Sequence, residues 1–262
     1  MASITDSILA HYHHVLDAIA THPRQTAITT SAVAVTLSVA WVVSDFHAWR
    51  AFGTGGTPPT WAGYWRMTKL RVNRALLFGA DDLADASPLS ATSGPQYLDA
   101  NTLPARDGPR PKIMARTMPQ RQVPYAAGVV PPDVVDRVAN MMGALSMLHD
   151  DLLDLRASKT EGGSTEAIYA KSSLTTLSEK ARADKLLACE IAHAHPAEGS
   201  LHVWLSEADA KIVVEKGWGL RFPLKFVDKG WTMVYAPRTT EEADVAEKIV
   251  KAGISFITGV KV

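Results

Sequence analysis

Cys189–Trp204, CEIAHAHPAEGSLHVW, is the stretch from which the rest of the chain is read. Ala188–His195 reads as a strand, PAEGS (196–200) as turn material, and Leu201–Leu205 as a second strand, so the stretch predicts a hairpin. His193 and His195 are two residues apart and therefore share one face of their strand. The place of His202 depends on register. If His195 pairs with Ser200, His202 lies opposite His193 and three imidazoles converge; if His195 pairs with Leu201, His202 faces away. The sequence leaves both registers open.

Working outward, Ser206 and Asp209 form a capping-box pattern that opens a helix ended by Gly217. Trp231–Ala236 reads as a third strand. Thr239 and Glu242 repeat the capping pattern, opening a helix with apolar Ala243, Val245, Ala246, Ile249 and Val250 that runs to Gly253, and Ile254–Ile257 reads as a closing strand. The order ββαβαβ predicts an α+β fold, a small mixed or antiparallel sheet with helices packed on one face. This domain is placed at 133–262. Within it, Val134–Leu155 has helical spacing and SKTEGGSTE (158–166) reads as a surface loop.

Upstream, 45–132 reads as an amphipathic helix and an irregular arm. Residues 53–63 are turn-rich, 64–78 carry a basic amphipathic pattern, and Asp81–Pro132 is rich in Pro, Gly, Asp and Ser. Such a length is too great for an ordinary loop, so the arm wraps the core or covers a site. Thr26–Val43, TAITTSAVAVTLSVAWVV, holds 18 residues without a charge. In a helix that is about 27 Å, near the lower limit for crossing a bilayer. We therefore expect a transmembrane or hydrophobic helix at 26–44 that engages the lipid bilayer, after an N-terminal tail at 1–25. Its six hydroxyls would bond back to the helix's own carbonyls. Arg24 alone precedes the span, whereas Arg50, Arg66, Lys69, Arg71 and Arg74 follow it. The positive-inside rule then puts the C-terminal domain of a single-pass protein in the cytosol.

Composition removes several function classes. The 262 residues carry 27 basic and 27 acidic side chains, which gives no field for a polyanion, so nucleic acid is not an expected partner. The single cysteine, Cys189, excludes an intrachain disulfide framework and multi-cysteine metal sites. There is no nucleophile elbow, P-loop, dinucleotide glycine fingerprint or HExxH. What remains is the histidine hairpin. Three convergent imidazoles would hold a divalent metal, with Glu190 or Asp209 as additions, or would act as acid, base and orienting donors near neutral pH. The plain alternative is hairpin histidines bonded to nearby carbonyls. In KGWGLRFPL (216–224), Gly217 and Gly219 would let Trp218 present a flat face beside Arg221; in YAPR (235–238), Arg238 lies at a helix N-terminus suited to an anion. Arg110 and Arg121 are expected to clamp the arm to the core.

The segments EIAHAH, SLHVWL, EKGWG, FPL and YAPRTTEEA, in this order and spacing, resemble the fungal luciferase family and its non-luminous relatives. The resemblance is strongest over about 185–258 and extends weakly upstream through GPRP (108–111), QRQ (120–122) and the hydrophobic span. It implies membrane association and oxidation of a small-molecule substrate by O2. In luminous members the substrate is the styryl pyrone 3-hydroxyhispidin, and carbon dioxide is released with light. No cofactor beyond O2 is then required, although a divalent metal on His193, His195 and His202 is compatible. The resemblance implies catalytic roles for His193, His195, His202, Arg221 and Arg238, and substrate contact for Trp218, Phe222 and Tyr235. One departure bears on light: luminous relatives carry histidine where this chain has Phe222, so emission is doubtful and a related pyrone or polyketide becomes a candidate substrate. Two other readings stay open, a non-oxidative cyclase, lyase or isomerase using the same groups, and a non-catalytic membrane protein with a histidine-lined hairpin. No oligomeric state follows from the sequence.

Overall fold

A computed structural model of the chain describes residues 4–77, 81–114 and 121–262. It divides into two units, 1–51 and 52–262. In the first, α1 (Ile4–Thr21) is followed by α2 (Pro23–Phe52), whose N-terminal proline suits a first helical position. The apolar part of α2 has a mean hydropathy of 1.7, is long enough to cross a membrane, and is not buried against protein. Thr36 and Ser38 donate to the carbonyls of Ala32 and Ala34, four residues back, which satisfies hydroxyls that lipid would not.

In the second unit α3 (Trp61–Leu77) starts three residues before the expected 64, because the Thr60 hydroxyl accepts the Gly63 N–H and caps it there. Phe78, at the expected end of this helix, and Gln120 of the QRQ motif lie outside the described residues. Among the described residues, 81–131 contains turns and one isolated bridge, Ile113 to Gln122, but no helix or strand. Then α4 begins at Pro132 and ends at Leu148, followed by β1 (Leu153–Ala157), β2 (Glu166–Ala170), the short α5 (Glu179–Ala183), β3 (Glu190–Ala194), β4 (Leu201–Trp204), α6 (Glu207–Glu215), β5 (Gly219–Arg221), β6 (Trp231–Val234) and α7 (Thr240–Thr258).

The six strands form one antiparallel sheet in the order β1-β2-β3-β4-β6-β5. Ala192 pairs with Val203, and Val203 with Thr232; this row faces α7, whose Gly253 lies against the Val203 side chain. The alternate row, His193–His202–Met233–Leu220, faces the other way. Helices α4, α6 and α7 thus cover one face, joined by Ala86, Leu89, Leu98 and Leu103 of the arm, while Leu83 and Ile113 of the arm and the β1–β2 loop cover the other.

Two expectations need correction. Helix α4 stops at Leu148 rather than Leu155, and Leu153–Leu155 belongs to β1. Ile254–Ile257 is not a strand but the last turns of α7, which continues to a left-handed Gly259 cap. Gly253 is there for close approach: a Cβ would sit 3.0 Å from the Trp204 carbonyl oxygen. The 158–165 stretch is an exposed loop, as expected, but its Ser158 and Glu161 side chains turn inward and are buried.

Candidate active site: a buried histidine and carboxylate cluster

The β3–β4 hairpin adopts the register that brings the histidines together. The His195 N–H donates to the Ser200 carbonyl at 2.8 Å, the turn passes through a left-handed Gly199, and His193 pairs with His202. His193, His195 and His202 have ring centroids 4.7–5.0 Å apart, all edge-on. All three are buried. Trp231 lies beside His193 and His202, at 5.8 and 5.6 Å.

Two carboxylates complete the cluster. Glu161, from the loop expected at the surface, puts Oε1 at 3.5 Å from His195 Nε2 and 3.8 Å from His193 Nε2. Glu190 reaches the same face through a bulge. Ile168 pairs with Ala192 but Tyr169 with Glu190, so Ile191 is an extra residue. Without it, residues 190 and 193 would point to opposite faces; with it, Glu190 Oε1 lies 2.7 Å from His193 Nδ1. Glu190 also accepts from the hydroxyls of Ser158, Thr160 and Tyr169 and from the N–H groups of Lys159 and Thr160. Burial alone would raise its pKa, but His193 and the hydroxyls outweigh that and hold it at about 2. An ionised Glu190 accepts only, so His193 Nδ1 is the donor.

His195 is fixed from its other side. Its Nδ1 lies 3.0 Å from Ser200 Oγ, which donates to Glu198 at 2.9 Å. Glu198 in turn takes a two-pronged contact from Arg121, at 2.9 and 2.7 Å, and the Arg121 guanidinium stacks 4.3 Å from the Phe52 ring centroid. Burial, then the charges of His193 and Arg121, push the His195 imidazole well below its ordinary pKa, so it is neutral at physiological pH. Its Nε2 is buried without a hydrogen-bond partner. His195 and Glu198 also help line a cavity of about 390 Å³, together with the hairpin turn, α4 and residues 124–128 of the arm. The lining is mainly apolar, and the volume suits a small aromatic molecule.

The other residues singled out from the sequence lie elsewhere. Phe222 packs edge-on against His202, with centroids 5.3 Å apart, and does not line the cavity. Arg221 sits in the row of Thr232, opposite the histidines, and binds Asp81 and the carbonyls of Asp82 and Asp85. Arg238 is paired with Glu242 in the first turn of α7 and donates to the Asp107 carbonyl. The Trp218 indole donates to the Pro104 carbonyl at 2.7 Å, and the buried Tyr235 lies under Arg106. Arg110 binds the carbonyls of Gly219 and Val214, so it and Arg121 both clamp the arm. Asp209 stands apart from the cluster and accepts the N–H groups of Tyr97 and Leu98. Glu161 had no signal in its own neighbourhood, because a polar, glycine-bearing loop reads as solvated. Only pairing β1 with β2 carries it inward.

Comparison with known proteins agrees with this region. The Luciferase domain model matches residues 188–253, which hold the hairpin and α6 through most of α7. A luciferase of Armillaria mellea is 32% identical over 254 residues, covering 90% of this chain and 89% of its own. A luciferase of Armillaria ostoyae is 30% identical over 98% of this chain and 96% of its own. A luciferase of Neonothopanus nambi is 45% identical over 75 residues, 26% of this chain and 28% of its own. No solved structure matches. With nearly full-length similarity at this identity, the chain belongs to the fungal luciferase family, whose chemistry is of the oxygenase type.

Proposed function

We propose that this protein is a membrane-anchored oxygenase that oxidises an enolic or phenolic small molecule, a 3-hydroxyhispidin-like pyrone or related polyketide, with O2 as oxidant. The observation that carries the reading is the buried imidazole cluster with an apolar cavity against His195. An acidic enol that enters the cavity presents its hydroxyl to a neutral His195, and the cluster takes its proton and holds the enolate in a water-poor site. The electron-rich enolate carbon then gives its electrons to dioxygen, forming a C–O bond and a peroxide. Neither flavin nor nicotinamide is needed for that step.

Helix α2 would serve as the anchor, with the C-terminal domain in the cytosol by the basic residues that follow the span. Phe222 offers His202 an apolar edge where luminous relatives have an imidazole, which favours a dark reaction. The test is oxygen uptake with parallel photon counting, on membranes containing the protein and 3-hydroxyhispidin or related pyrones. Substrate-dependent uptake is expected, with little or no light. A product formed without oxygen consumption would replace this reading with a non-oxidative one.

A further inference from the structure

We infer that Glu161, His193, His195 and His202 form the binding site of a divalent first-row transition-metal ion. One ligand atom from each lies within 4.8 Å of every other. An ion with ligand bonds of about 2.0–2.2 Å separates its donors by roughly 3–4 Å. Here His193 Nε2 and His202 Nδ1 are 3.2 Å apart, His195 Nε2 and Glu161 Oε1 3.5 Å, and His193 Nε2 and Glu161 Oε1 3.8 Å.

Proton placement makes the case stronger than proximity does. The Ser200 hydroxyl gives its proton to Glu198, so Ser200 Oγ accepts from His195 Nδ1. That leaves a bare lone pair on His195 Nε2, which is buried and has no hydrogen-bond partner. His193 Nδ1 donates to Glu190 in the same way, leaving a lone pair on its Nε2. The lone pair on His193 Nε2 is met by His202 Nδ1, but the one on His195 Nε2 faces the Glu161 oxygen with no hydrogen between them, two acceptors in one buried volume that a cation would hold together. Imidazoles whose outer nitrogens are pinned by a carboxylate and a hydroxyl are what metal ligation requires. Three nitrogens and one oxygen suit a first-row transition metal; Ca²⁺ and Mg²⁺ call for oxygen.

With an ion in place the His195 Nε2 lone pair is spent on ligation, so the cation rather than an imidazole would acidify the enol and hold the enolate, but binding itself is read without substrate. Failure of metal binding thus leaves the oxidation reading standing, and failure of oxidation leaves the metal site standing. The experiment uses the full-length protein in detergent, carrying His11→Ala, His13→Ala and His14→Ala so that the exposed α1 histidines do not contribute. After chelation and dialysis, Co²⁺ is titrated and followed by its visible absorption and by metal analysis. One equivalent is expected per chain, not displaced by excess Mg²⁺. Glu161→Ala and His195→Ala should each weaken binding more than about a hundredfold, and Ser200→Ala, which only releases His195 Nδ1, roughly tenfold. Absence of stoichiometric Co²⁺ binding by the folded parent, read by near-ultraviolet circular dichroism, would overturn the inference whatever the variants do. So would unchanged affinity in a folded His195→Ala.

Discussion

Arg121 and Glu198 are both buried, and their pairing ties the arm to the turn that follows His195. Burial raises the Glu198 pKa even with Arg121 beside it, so the carboxylate tolerates its position only because the guanidinium is there. Arg121→Ala should cost about 3–5 kcal/mol in denaturant unfolding, because it strands a buried charge. Glu242 presents the opposite balance. Burial opposes ionisation, but Arg238 outweighs it and the pKa is lowered. A depressed carboxyl pKa contributes stability above its unfolded value and loses it as pH falls through the folded one. Glu242→Gln should therefore destabilise by roughly 1–3 kcal/mol at pH 7. The gap from the parent should narrow on acidification below about pH 4; urea midpoints at both pH values check it. At this scale the sequence was legible where position alone fixed chemistry. His193 and His195 on one strand had to share a face, whereas the partners of Arg221 and Arg238 come from residues about 130–140 positions away in the arm for all but Glu242.

The hairpin and both capped helices were readable because their signals are local. Ser206 and Thr239 accept the N–H groups of Asp209 and Glu242, as the capping patterns required. Strands β1, β2 and β5 were not readable. LDLRA continues a helical spacing, EAIYA is short and nearly all buried, and β5 has three residues. The bulge at Ile191 leaves no trace in composition, yet it decides which face Glu190 joins. From the sequence alone Gly253 reads as a terminator, although an interior helix glycine also serves close packing. Gly253→Ala tests that second role. Its Cβ would meet Val203 Cγ1 at 2.9 Å and the Trp204 carbonyl oxygen at 3.0 Å, and the backbone oxygen cannot step aside. A loss of about 1–3 kcal/mol is expected in unfolding experiments, from overpacking between α7 and β4. A gain, from the better helix former, would mean that α7 has room to move off the sheet.

For the whole molecule, the α+β class with helices on one face was legible, and so was the apolar N-terminal span. Where the arm packs was not, because an arm without periodicity has no pattern to pair against. Its seat depends on single clamps: Arg110 on the Val214 and Gly219 carbonyls, Trp218 on Pro104, and Asp209 on the Tyr97 and Leu98 amides. The anchor reading predicts that the full chain stays in the pellet after carbonate extraction of membranes, and that a protease added outside sealed cytosol-in vesicles leaves residues 53–262 intact. Release into the supernatant would make α2 a peripheral helix.

The central claim is that the buried histidines on β3 and β4 carry an oxygen-dependent oxidation. Oxygen uptake by membranes containing the parent chain, His193→Ala or His195→Ala, each supplied with the same pyrone, tests it most directly. Uptake that depends on substrate in the parent and falls by more than about a hundredfold in both variants is the expected result. Substrate-dependent uptake that survives both substitutions would contradict the account.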